Sequence, residues 1–144
     1  MSHDKKVIVI PCSGIGKPIG TVSRETAYKV IENLSKDKAE TVCLALLTSQ
    51  DKETIEKIKN NYCITLDGCA RHCAKKNVEQ YGKVLDKSYM ILKFAAANPD
   101  KKPQGIIDIG ESGKELVDTI SDTIVKDVED LIEDKKVKED KNNN

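Results

Sequence analysis

The chain has no tryptophan and a single phenylalanine. Surfaces that stack single-stranded bases need aromatic faces, so this poverty argues against a nucleic-acid platform. An excess of either charge is also missing. Lys plus Arg and Asp plus Glu stand at 24 each, which leaves no overall field to draw the protein to nucleic acid or to an anionic membrane. No apolar run approaches the roughly 20 residues that a membrane helix requires. The opening stretch, Met1 to Lys6, is polar, and Val7 to Ile10 is too short for the apolar centre of a signal peptide. These absences favour a cytoplasmic protein, where thiols stay reduced. Five cysteines in such a setting suit ligands, nucleophiles or packed thiols better than disulfides, and the odd count agrees.

What is present is an alternation of strand and helix signals over a length that one domain can fill. Residues 6–11 form a β-branched run ended by Pro11, and a glycine-rich loop follows from Cys12 to Gly20. Ala27, Val30, Ile31 and Leu34 mark one face of a helix over about 21–35. A second strand is expected over 40–47, a helix over 51–60 and a third strand over 62–66. Helical spacing then runs from Ala70 to Tyr81. A fourth strand is expected over 88–92, a loop over 94–105 and a short fifth strand over 106–109. A last helix is expected over 112–134. The fold class that follows is α/β: a small parallel sheet of four to five strands, Rossmann-like or flavodoxin-like, with helices on both faces. Residues 1–5 are expected to be disordered, 6–134 to form the one domain, and the charged stretch 135–144 to be a disordered tail.

Sites in such sheets gather at the carboxyl ends of strands, near the point where strand order reverses. The loop after the first strand carries Cys12 and the loop after the third carries Cys69, so the two converge on one edge. Cys69 and Cys73 are expected in the first turns of a helix, where the dipole lowers a thiol pKa. Residues four apart on a helix have Cβ atoms about 5–6 Å apart, whereas a disulfide wants roughly 3.5–4.5 Å. Two sulfurs on one tetrahedral zinc lie roughly 3.8 Å apart, and the metal relaxes the Cβ demand. A shared metal therefore suits the pair better than a bond between them. The competing reading is two cysteines that simply pack.

The glycines at 14, 16 and 20 let a backbone come close to phosphate or to metal-bound sulfur, or they serve only a flexible turn. The Gly-x4-Gly-Lys-Ser/Thr loop is absent, and Gly14-x-Gly16 with Gly20 misses the dinucleotide spacing by one. The cysteine-phosphatase pattern, Cys-x5-Arg, meets Pro18 and Lys75 instead of arginine. His72 beside Cys73 is a ligand, a base or a solvated side chain. Cys63 lies roughly 13 Å down its strand from the edge, and Cys43 reaches that edge only if its strand stops near Leu44.

Taken together, Cys12-Ser13-Gly14, Gly16-Lys17-Pro18-Ile19-Gly20 running into Arg24-Glu25, Cys43-Leu44-Ala45, and Asp67-Gly68-Cys69 with Cys73-Ala74 resemble the DGC-domain family over about residues 7–95. The family is described as zinc-binding, with no established activity. The resemblance implies four metal-ligand cysteines, carried over to Cys12, Cys43, Cys69 and Cys73, and leaves Cys63 outside the set. The expectation is then a cytoplasmic protein with a zinc ion as its partner, in a structural or metal-handling role, without nucleic acid or membrane. Lys17, Arg24, Arg71 and Lys75 are near enough in sequence to offset the net charge of a four-thiolate zinc. Two alternatives stand beside it. One is a thiol redox or persulfide-transfer enzyme with Cys69 or Cys12 as nucleophile. The other is an iron–sulfur or metal-braced interaction module.

Overall fold

The computed structural model describes residues 5–12 and 14–142, with side chains described as far as 134. Its sheet is built from β1 (Val7–Pro11), β2 (Ala39–Glu40), β3 (Tyr62–Asp67) and β4 (Lys87–Met90). All neighbouring pairs are parallel and the order is β2-β1-β3-β4. Val7 pairs with Ala39 on one side and Tyr62 on the other, and Asp67 pairs with Met90. This is the flavodoxin-like order, in which the direction of chain progress reverses between β1 and β3. The α/β parallel-sheet expectation is met, with four strands.

The period-two alternation of β1 and β3 sorts their side chains between two helical layers. Val7, Val9, Ile64 and Leu66 face α1 (Pro18–Lys29), α5 (Ile91–Ala97) and α6 (Gly110–Asn142). Ile8, Ile10 and Cys63 face α2 (Leu44–Thr48), α3 (Lys52–Lys59) and α4 (Cys73–Glu79). Both strands are buried on both faces, which is why they read as continuous apolar runs. After α1 the helix widens into a π turn, Val30–Leu34, before β2.

Four expectations shift. The run from Val42 to Leu47 is not a strand: β2 stops at Glu40, and α2 buries Leu44 and Leu47, three apart, while Leu46 is exposed. Ile91–Ala97, assigned in part to a strand and in part to a loop, is α5. The segment 106–109 adds no strand to the sheet: Ile107 is 93% exposed, and only Ile109 enters the core. The helix expected over 70–81 begins three residues later, at Cys73. Within the expected tail, the backbone of 135–142 continues α6. Residues 1–4 and 143–144, also expected to be disordered, lie outside the described residues.

Candidate functional site

The reversal between β1 and β3 is where a crevice must open, because the connections from the two strands leave to opposite faces. Cys12 is the first residue past β1. Its N–H donates to the Leu66 carbonyl at 2.9 Å, and its Sγ accepts from the Gly68 N–H at 3.3 Å. The thiol is buried, and that burial pushes its pKa up, against the pull of the Gly68 N–H and the Ser23 hydroxyl. Cys12 is therefore a neutral thiol that ties the β1 loop to the β3 loop.

Glycine is required at two points of this junction. A Cβ on Gly20 would lie 2.0 Å from the Gly14 carbonyl oxygen, and Gly14 itself has φ +30°. The loop folds back so that Gly14 touches the first turn of α1, which brings Lys17, Ile19 and Gly20 to the crevice.

On the other side, β3 ends in Asp67, 1% exposed. Its Oδ1 accepts from the Ala74 N–H at 2.7 Å and its Oδ2 from the Lys75 N–H at 3.1 Å. These are orphan donors of the first turn of α4, and a carboxylate at a helix start is favoured by the dipole. Between Asp67 and that helix the chain turns through His72, which is held left-handed at φ 54° and ψ 46°. Such a conformation strains a residue with a Cβ and clusters at functional sites. The His72 Nδ1 lies 3.9 Å from Asp67 Oδ2 and has no hydrogen-bond partner, although it is buried.

The result is a pocket of about 380 Å³. Its walls carry Cys12, Cys69 and Cys73, and also Lys17, Arg71 and His72. Asp67 is the one carboxylate among its lining residues, and both of its oxygens are engaged by α4. Among the described residues, neither Lys17 nor Arg71 has an ion-pair partner.

The expected ligand cysteines do not assemble into a metal site. Among the described residues, no group of three or more His, Cys, Asp or Glu side chains is placed to hold a metal ion. All five cysteines are free and stand in different surroundings. Cys12 is buried with its sulfur against the Gly68 N–H. Cys69 is half-buried, and Cys73 is exposed as the first residue of α4. Cys43 is exposed at the start of α2 and lines a separate hollow, sharing Cys12 and Ile15 with the pocket. The shortened β2 does not bring it to the set. The expectations of zinc, of an iron–sulfur cluster, of a metal-braced module and of a metal ion as partner are corrected accordingly. The alternative of a thiol redox or persulfide-transfer enzyme, with Cys69 or Cys12 as nucleophile and another cysteine resolving, is corrected with them. Cys12, Cys69 and Cys73 share a pocket wall, but all are free thiols in buried, half-buried and exposed settings and form no cysteine cluster. Arg24 donates to Thr21 Oγ1 and lines the Cys43 hollow rather than this pocket.

Cys63 was expected away from the edge, and it is fully buried under α3, its Sγ donating to the Ile58 carbonyl at 3.4 Å. Burial pushes its pKa up to about 12. Two features escaped the sequence reasoning. One is Asp67 as the cap of α4, signalled by an acidic residue between a strand and a helix start. The other is a pocket shared by Lys17 and Arg71, which the sequence reasoning groups, with Arg24 and Lys75, only as counter-charges to a four-thiolate zinc.

Fold and pocket together define an α/β protein of flavodoxin-like order with a ligand-sized crevice at its topological switch point. The DGC domain model matches residues 8–120, and the chain belongs to the DGC domain family. No curated protein and no solved structure matches the chain. Among the described residues no helix is long and apolar enough to cross a membrane.

Proposed function

We propose that this protein binds a small anionic molecule in the pocket between the β1 and β3 loops. The observation that carries the reading is a charge imbalance inside a concave site. Two fixed cations, Lys17 and Arg71, line it against one carboxylate, Asp67, whose two oxygens are taken up by the amides of α4. The start of α1, a twelve-residue helix, adds the positive end of its dipole. The missing phosphate-loop patterns do not weigh against this, because side-chain cations rather than a run of amides supply the charge. Cys12, Cys69 and Cys73 enter the reading as wall residues, with Cys12 holding the two loops together. Residues 6–134 act as the one domain that carries the site. A cytoplasmic setting accords with five free thiols.

Calorimetric titration with inorganic phosphate and with malonate tests the reading. Saturable binding at one site is expected, weakened about tenfold or more by Lys17→Ala and by Arg71→Ala, since each removes one charge-assisted contact of about 1.5–3 kcal/mol. Binding that is absent at low ionic strength, or that both variants leave unchanged, would contradict it.

A further inference from the structure

His72 lines a second hollow as well as the anion pocket. This second hollow, of about 630 Å³, opens at the carboxyl end of β4, the next strand along the same sheet edge. The Leu92 N–H of α5 donates to the Gly68 carbonyl at 3.1 Å, which fixes its far wall to the β3 loop. The two hollows thus lie side by side, with His72, whose backbone is held left-handed, common to both linings.

Their chemistry differs. The first is lined by Lys17, Arg71 and four glycines and holds no aromatic ring but the His72 imidazole. The second holds Phe94, the one phenylalanine of the chain, against Tyr89 with ring centroids 5.9 Å apart and planes at 47°. Met90 adds a polarisable thioether, which makes favourable contacts with aromatic rings. The Tyr89 hydroxyl is engaged by Asp127 of α6, so the ring is held in place and its polar end is already satisfied. Lys75 and Lys93 line it too, so each hollow carries two basic side chains and the rings set the second apart. A ligand ring laid edge-to-face or offset against either of these rings would gain a favourable aromatic contact.

Resting on the anion reading, we propose that the second hollow is the other half of one ligand site, and that the ligand is an aromatic anion. Its phosphate or carboxylate lies by Lys17 and Arg71, and its ring lies by Phe94 and Tyr89. His72 sits where the two parts join, its unpartnered Nδ1 beside Asp67 and its ring a wall of both hollows. The arrangement selects for flat rings bearing a negative group over small anions, and the selection resides in α5 and β4 rather than in the loops that hold the charge.

The test compares phenyl phosphate with inorganic phosphate on the full chain, by calorimetry in one buffer. Phenyl phosphate is expected to bind about tenfold more tightly, from ring burial and ring–ring contact. Phe94→Leu keeps an apolar side chain against the core and should abolish most of that ratio while leaving the affinity for inorganic phosphate unchanged. Lys17→Ala should weaken both ligands alike. Equal affinity of the two ligands, or a ratio that survives Phe94→Leu, overturns the second half of the site and leaves the anion pocket standing. Inorganic phosphate that fails to bind the wild-type protein overturns the anion reading beneath it.

Discussion

Replacing Asp67 by alanine should loosen the junction on which the pocket is built. The carboxylate is 1% exposed and accepts the Ala74 and Lys75 N–H groups at 2.7 and 3.1 Å. Its loss leaves two donors at the start of α4 without partners, and Ala74 is itself fully buried. Removal of a capping side chain costs about 0.5–2 kcal/mol. A buried donor left unpaired costs about 1–3 kcal/mol. Relief of the desolvated charge offsets part of this, so the expected loss is about 2–3 kcal/mol. For a chain near this size each kcal/mol moves the melting temperature by roughly 2–4 °C, which gives a fall of about 4–12 °C. Asp67→Asn keeps one oxygen acceptor and should lose about half as much. The assay is urea unfolding followed by circular dichroism, with the midpoint compared at a constant slope. The carboxylate is not an anion ligand in this account, so phosphate affinity measured well below the melting range should not fall in Asp67→Asn. Stability of Asp67→Ala within about 0.5 kcal/mol of the parent would refute the capping argument. A loss of phosphate binding in a fully folded Asp67→Asn would refute the division of labour between Asp67 and the cations.

Other substitutions probe the same junction and the core below it. Gly20→Ala places a Cβ 2.0 Å from the Gly14 carbonyl oxygen and should cost about 1–3 kcal/mol or more by forcing backbone apart. Gly16→Ala meets nothing within 4 Å and should stay within about 0.5 kcal/mol of the parent in the same urea assay. Cys63→Ala should cost on the order of 1 kcal/mol, since it removes a small buried sulfur and one weak hydrogen bond. Ionisation of Cys63 should appear as a loss of stability in alkali. Burial raises its pKa from 9.0 to about 12, so the unfolded chain releases its proton first. The stability present below pH 9.0 should decline as pH rises toward about 12, and Cys63→Ala should show a shallower decline. Thiol-reactive dye at neutral pH should label Cys43 and Cys73 ahead of Cys12 and Cys63, with peptide mapping as the readout.

The sheet was legible where its strands are buried on both faces. Val7–Ile10 and Tyr62–Leu66 are continuous apolar runs, and the alternation that puts Cys63 opposite Ile64 follows from the pleat. Val42–Leu47 was not, because a short apolar run fits a buried strand and a buried helix equally. The Leu44–Leu47 spacing matches the helix, and Thr48 Oγ1 donates back to the Leu44 carbonyl as helical threonines do. The helix at Ile91–Ala97 was hidden by its apolar start, which extends the strand pattern of Ser88 to Met90. The site was half legible. Topology alone brings the Cys12 and Cys69 loops to one edge, and that edge does hold the pocket. Cysteine spacing then suggested ligation, but spacing does not specify where sulfurs point. Cys12 turns its sulfur to an amide, Cys73 is exposed, and Cys43 starts a helix in a neighbouring hollow. The cations were grouped from sequence only as counter-charges to a zinc site, because Lys17 and Arg71 are 54 residues apart and their sharing of one pocket depends on the reversal of strand order.

The most direct test of the anion pocket is amide chemical-shift mapping by NMR as inorganic phosphate is added to the full chain. The account predicts saturable shifts confined to Gly14–Thr21 and Gly68–Cys73, with the amides of α3 and of the α6 core unmoved. Shifts scattered over exposed lysines, without saturation and without the two loops, would contradict it.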